Sequence, residues 1–245
     1  MDRLVYVVMS GAKWTMERQA SVAHNLANAS STGYRAEEHK LRAVNTISDG
    51  LPTRSYAVEV SVGANQENGP LQLTSRPLDV AIKGDGWFAV QGPQGEGYTR
   101  NGHFQISPEG VLQTANGLPV LGDGGEITIP PDNDVSIGDD GTISVVPRTG
   151  SKSAVNAVGR LKLVNPQQAT MMRGDDGLFR TTTGAPEQDD KVRVAGGYLE
   201  GSNVNVVDQM VQMIALSRQF EMQTKMLQTA EADDRAAQQI LNNRS

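Results

Sequence analysis

The sequence predicts a mainly β central module, antiparallel, flanked by long N- and C-terminal α-helices that pair in a coiled-coil-like bundle. Three observations carry that expectation. All 11 prolines lie between Pro52 and Pro186, and 22 of the 26 glycines lie between Gly63 and Gly197. Proline in a helix interior costs about 3 kcal/mol and glycine about 1 kcal/mol, so long helices fit only outside that window. Apolar residues then recur at helical spacing in both ends, while short apolar or alternating runs separated by turn clusters fill the middle.

At the N-terminal end Leu4, Val8, Ala12, Thr15, Gln19, Val22 and Leu26 follow one another at spacings of three and four, an a/d seam with polar interruptions. About 28 residues at 1.5 Å rise would reach about 40 Å. The stop lies at Asn28 to Gly33, where Asn, Ser, Thr and Gly cluster and Gly33 can take a positive φ.

The C-terminal stretch from Asn203 to Asn242 holds neither Gly nor Pro. Val206, Met210, Met213, Ser217, Phe220, Thr224 and Leu227 form one row, widened by Val207, Val211 and Ile214. A cap at Ser202 or Asn203 with Asp208 in the early turns would start a helix of about 40 residues and 60 Å. Such a helix needs a partner of comparable length. Residues 1–45 carry 6 basic and 4 acidic side chains and residues 200–245 carry 4 and 6, which favours pairing of the two ends.

Between them, Leu78–Ile82, Trp87–Val90, Val111–Gln113, Ile127–Ile129, Thr142–Val146, Gly159–Val164 and Lys191–Val194 read as strands. The turns fall at Lys83-Gly84-Asp85-Gly86, Asn116-Gly117 and Asp139-Asp140-Gly141. Residues 34–68 are ambiguous, although Ser55 to Val62 alternates like a strand. The implied boundaries are 1–33 for an N-terminal assembly helix, 34–68 for a linking extended segment, 69–198 for the β module and 199–245 for the C-terminal assembly helix.

Composition narrows function. Net charge is -6, so the global field repels nucleic acid and anionic membrane. With no cysteine there is no thiol catalysis, thiolate metal site or disulfide. The apolar run Leu4 to Met9 is shorter than a cleaved signal requires, and no stretch of about 20 apolar residues spans a membrane.

The candidate chemical motifs do not hold up. Gly84-Asp85-Gly86 leads into a strand and not a helix, so no phosphate cradle forms. Asp132-Asn133-Asp134 opens like a calcium loop, yet Ile137 and Ile143 occupy the positions that need Gly and Glu. His24, His39 and His103 lack a second His at metal-ligand spacing. The expectation is therefore no enzyme, no cofactor, no metal and no small-molecule substrate. Met210, Met213, Met222 and Met226 mark an adaptable packing surface instead.

Three separated stretches resemble the axial proteins of the bacterial flagellum, the rod and hook family. The first is Ser10-Gly11 with Asn25-Leu26-Ala27-Asn28 running through Thr32-Gly33-Tyr34-Arg35. The second is Leu78-Asp79-Val80 through Gly86-Trp87-Phe88, continued by Tyr98-Thr99-Arg100-Asn101-Gly102-His103-Phe104. The third is Leu199-Glu200-Gly201-Ser202-Asn203-Val204 leading into Met210 to Ile214 and Arg218-Gln219-Phe220-Glu221. Trp87 stands where Phe is more usual, and His24 where Asn is. The opening Met1 to Tyr6 and the short length are more similar to proximal-rod members than to distal-rod or hook members.

The resemblance implies a structural subunit of the rod in the periplasmic space, exported by the flagellar type III apparatus without a cleaved signal peptide. Its implied partners are copies of itself and other rod proteins. The assembly interface is expected at Leu4, Val8, Ala12, Val22, Leu26 and Asn28, and at Val207, Met210, Val211, Ile214, Phe220 and Leu227. Three alternatives stay open: a distal-rod or hook subunit, a carbohydrate-binding β protein using Asp79, Asp85 or Glu96, and a coiled-coil adaptor.

Overall fold

Among the residues that the computed structural model describes (3–45, 55–147, 156–167 and 170–242), there are two helices, one near each end, with mainly antiparallel strands between them. The chain divides into two compact units. One comprises Met1–Asn28, Glu37–Gly63 and Val204–Ser245, the other Ala29–Ala36 and Ala64–Asn203.

The first unit holds α1 (Arg3–Ala27), α2 (Val206–Asn242) and a two-stranded sheet of Glu37–Asn45 and Ser55–Ala64. Asn28 closes α1: its Nδ2 and its backbone N–H both donate to the His24 carbonyl, at 2.9 and 3.1 Å, so a carbonyl left orphaned by the helix end is satisfied. α2 is capped by Asn205, whose Oδ1 accepts from the N–H groups of Val207 and Asp208 at 3.1 and 3.4 Å. The expected cap at Ser202 or Asn203 is corrected, because Asn203 is committed elsewhere. Its Oδ1 accepts from Ala36 N at 2.7 Å, and its Nδ2 donates to the carbonyls of Asn65 and Glu67 at 3.0 and 2.9 Å.

The expected fold class is corrected as well. The helices are shorter than expected, 25 and 37 residues. The C-terminal row is not a coiled-coil seam, since it is divided between two faces of α2. Met213, Phe220 and Leu227 are half-buried, whereas Val206, Val207, Met210, Val211 and Ile214 are exposed. Among the described residues of α2 the deepest is Leu216, 3% exposed, which lies outside that row. Polar side chains stand where apolar knobs would have to pack: Asn25 Nδ2 donates to Gln209 Oε1 at 3.4 Å, and Gln223 lies against Gly11. Fourteen residues forward on α1, from Gly11 to Asn25, correspond to fourteen residues back on α2, from Gln223 to Gln209, so the two helices run antiparallel in a one-to-one register.

The second unit is β-rich, and its strand pairs are antiparallel. Its largest sheet orders Leu163–Val164, Trp87–Gly92, Gly95–Thr99, Phe179–Thr181 and Met171–Arg173. The second strand of that order is apolar on both faces. Phe88 and Val90 enter a core with Val80, Ile82, Phe104, Leu112 and Ile143, while Trp87 and Ala89 join Tyr98, Val164 and Phe179 on the other side. Period-two geometry thus lets one strand serve two cores. Asn133–Ile137, Thr142–Pro147 and Asn156–Arg160 form a three-stranded sheet.

Two of the expected strands differ. Ile127–Ile129 is buried at both ends but makes only a bridge, Thr128 to Val111. The run Gly159–Val164 is divided between Asn156–Arg160 and Leu163–Val164, which belong to different sheets. Leu161 at the break is fully buried and donates its N–H to the Gly141 carbonyl at 2.9 Å, which turns the chain from one sheet to the next.

Candidate assembly surface and buried joint

In α1 the residues facing inward are Val8, Thr15, Val22 and Asn25, all buried. Thr15 satisfies its hydroxyl on the Gly11 carbonyl at 2.9 Å, so a polar residue is tolerated there. Gly11 lies close against α2: a methyl group in its place would stand 3.2 Å from Gln223 Nε2. Asn25 clamps the following strand, donating to the Glu37 carbonyl at 3.1 Å and accepting from Glu37 N at 2.8 Å. Ser21 and His24 hold the Glu37 carboxylate at 2.9 and 2.8 Å.

The residues expected at an assembly interface fall into two sets. Val8 and Val22 are buried, and Ala12, Leu26, Asn28, Phe220 and Leu227 are half-buried within the unit. Val207, Met210, Val211 and Ile214 are exposed, Val207 at 68% and Ile214 at 57%. The side chain of Leu4 lies outside the described residues. α1 carries a second, outward row that the sequence reading passed over: Tyr6, Met9, Lys13, Met16, Ala20, Ala23 and Ala27, at alternating spacings of three and four, all exposed. Its three alanines hid it, because alanine carries almost no apolar signal.

The β-rich unit contains a joint of buried charge. Glu200 Oε1 accepts from Arg35 Nη1 at 2.7 Å and from Gly69 N at 2.9 Å; Glu200 Oε2 accepts from Arg100 Nη1 at 2.9 Å. Arg35 continues to Asn68 Oδ1 at 2.9 Å and Arg100 to the Gly84 carbonyl at 2.8 Å. The two guanidinium carbons lie 5.9 and 5.5 Å from the centroid of the Trp87 ring, which also packs on Phe179 at 4.6 Å between centroids. Burial pulls the Arg100 guanidinium below the ordinary arginine value, Glu200 pushes it back up, and Arg35 pulls it down again.

This joint gathers the segment that leaves α1 and the segment that leads into α2. Gly33 donates its N–H to the Glu200 carbonyl at 2.8 Å, and Asn203 N–H reaches the Tyr34 carbonyl at 3.3 Å. Gly33 has φ +66°, and a Cβ there would collide with the backbone of Arg100 and Asn101. Only glycine fits that crossing. Arg173 covers Tyr34 with its guanidinium 4.6 Å from the ring centroid. Nothing in the spacing of Arg35, Arg100 and Glu200 announces that they meet.

Among the described residues no group of three or more His, Cys, Asp or Glu side chains is arranged to hold a metal ion, and no helix is long and apolar enough to cross a membrane. His103 Nδ1 lies 2.9 Å from Asp79 Oδ1, and Arg76 Nη1 lies 3.4 Å from the same carboxylate oxygen, a polar cluster that ties neighbouring segments of the β-rich unit together.

Known proteins share both regions. The family described as the flagellar hook protein FlgE/F/G D1 domain matches residues 81–145, which include Trp87 and Arg100. That described as the flagellar basal body rod FlgEFG protein C-terminal matches residues 195–240, which include Glu200 and the exposed row of α2. Over 250 residues, 99% of each chain, the sequence is 44% identical to the flagellar basal-body rod protein FlgF of Salmonella typhimurium, and equally to that of Escherichia coli. The flagellar basal-body rod protein FlgG of Agrobacterium fabrum is 32% identical over 236 residues, 86% of this chain and 88% of that protein. Likeness of that degree from one end to the other shows that the chain belongs to the FlgF family of flagellar basal-body rod proteins.

Proposed function

We propose that this chain polymerises into the rod through the exposed apolar rows of α1 and α2, while the β-rich unit holds the chain segments that lead from one helix and into the other. The chain is a structural subunit of the flagellar basal-body rod and not an enzyme, and it assembles with itself and with other rod and hook proteins. The observation that carries the assembly reading is the exposure of Val207, Met210, Val211 and Ile214 on one side of α2. A contiguous apolar stripe of that kind costs about 25 cal/mol per Å² while it faces water, a cost removed when a partner covers it.

The finer parts of the reading are that the subunit works in the periplasmic section of the torque-transmitting shaft and arrives there through the flagellar export apparatus without a cleaved signal. They rest on family membership. Leu4, Val8, Ala12, Val22, Leu26, Asn28, Phe220 and Leu227 complete the proposed interface, Val8 and Val22 by fixing the helix pair whose outer faces make the contacts.

The test is a pair of charge insertions, Ile214→Asp and Ala12→Asp. Each is expected to abolish swarming and to leave the variant out of purified basal bodies, with the unfolding midpoint of the β-rich unit unchanged. Normal motility in both variants would sink the reading.

A further inference from the structure

The antiparallel register of α1 and α2 sets which residues of the two outward rows stand at the same height. From Gly11 beside Gln223 and Asn25 beside Gln209, Ala27 is level with Val207, Ala23 with Val211, Ala20 with Ile214, Met16 with Arg218 and Lys13 with Glu221. All ten of these outward residues are exposed. Where α1 is small, α2 is bulky; where α1 is basic, α2 is acidic. The Lys13 side chain is 79% exposed, and its near neighbour Glu17 is held only at 3.6 Å.

We propose that adjoining copies of this chain pack side by side at the same height, to within one helical turn, with the outward row of α2 in one copy seated on the outward row of α1 in the next. Val207, Val211 and Ile214 then fill the space over Ala27, Ala23 and Ala20, and Glu221 meets Lys13 of the neighbouring copy. This rests on the reading that the terminal helices make the rod contacts. The alternatives between copies are worse on the same residues. Two α1 rows facing each other would oppose Lys13 to Lys13 and leave voids between alanines; two α2 rows would oppose Glu221 to Glu221 and crowd Ile214. A contact between two different faces also repeats from copy to copy, as a ring or helical array requires, whereas a self-complementary face closes as a dimer.

Because the chain has no cysteine, single cysteines report contacts without background. Ala23→Cys and Val211→Cys copies, carrying different tags, are expressed together in a flagellated species deleted for its own copy, and basal bodies are oxidised with copper phenanthroline. The expected result is a cross-linked dimer containing one of each tag as the major new species, lost when either variant is expressed alone. Basal bodies that contain both variants but yield no mixed dimer, or mainly same-tag dimers, overturn the packing while leaving the helix reading intact. If either cysteine keeps the protein out of basal bodies, a charge exchange decides instead. Lys13→Glu and Glu221→Lys should each shrink the swarm ring and the double variant should restore it; failure of the double variant to recover overturns the proposal. Failure of the helix reading itself would show separately, as normal swarming by both Ile214→Asp and Ala12→Asp.

Discussion

Glu200 Oε1 and Arg35 Nη1 meet at 2.7 Å across 165 residues of sequence, inside the β-rich unit, with both side chains at 1% exposure or less. One carboxylate there balances two guanidiniums, since Arg100 takes its second oxygen. Removing one member of a buried charge cluster leaves the others without compensation, which costs more than the cluster contributes when intact. Glu200→Gln is therefore expected to destabilise the β-rich unit by about 3–5 kcal/mol. Urea unfolding followed by Trp87 fluorescence, in a Trp14→Phe background, measures it. A loss under about 1 kcal/mol would mean that water reaches the guanidiniums.

Gly33→Ala tests the crossing beside that joint. The φ of +66° alone costs a residue with a Cβ about 1–2 kcal/mol, and the collision with the Arg100 and Asn101 backbone adds to it. The same unfolding measurement should show a loss above about 2 kcal/mol. Gly84→Ala is the control: its φ is +83°, but a Cβ there meets nothing within 4 Å, so only the conformational cost remains.

Asp176 gives a dependence on pH. Its carboxylate accepts from Arg180 at 2.9 Å and from Leu178 N at 3.1 Å, and these bonds, the Arg180 side chain first, hold its carboxyl below the ordinary value. A depressed folded pKa supplies stability that is complete above the unfolded pKa of about 4 and is lost as pH falls through the folded value. Wild type should therefore exceed Asp176→Asn in urea midpoint at pH 7, and the gap should narrow progressively as pH falls below the unfolded value of about 4. A gap that is constant with pH would assign the effect to packing instead of charge.

Isolated subunits should exchange the amides of residues 3–28 with solvent faster than those of Trp87–Gly92. The α1 face holding Met9, Met16 and Ala20 is exposed in the single chain, whereas that strand is buried on both sides. Hydrogen exchange on the isolated chain and on purified basal bodies compares the two states, with protection of α1 expected to rise on assembly. Equal protection in both would count against contacts through its outward row.

Breaker placement alone put the helices at the ends of the chain, because the cost of Gly and Pro in a helix is local and can be read at each position. The crossing at Gly33 was legible for the same reason, as were the turns at Gly84, Gly117 and Gly141, all with positive φ. The strands Gly95–Thr99 and Met171–Arg173 were not. Gly95 and Gly97 dilute the strand pattern, and Gly97 is small because Leu178 needs the space. Their place is set by pairing with Trp87–Gly92 and Phe179–Thr181.

Which side of α2 turns inward was equally hidden, since both sides carry apolar residues and periodicity cannot distinguish a face covered by the chain's own α1 from one kept for another subunit. Tertiary contacts decided it, with Leu216 inside and Ile214 outside. The Arg35–Glu200–Arg100 joint belongs with that second group. Periodicity and propensity act over a few residues, but a contact across 165 residues depends on how the whole chain crosses itself, and only the folded topology specifies that.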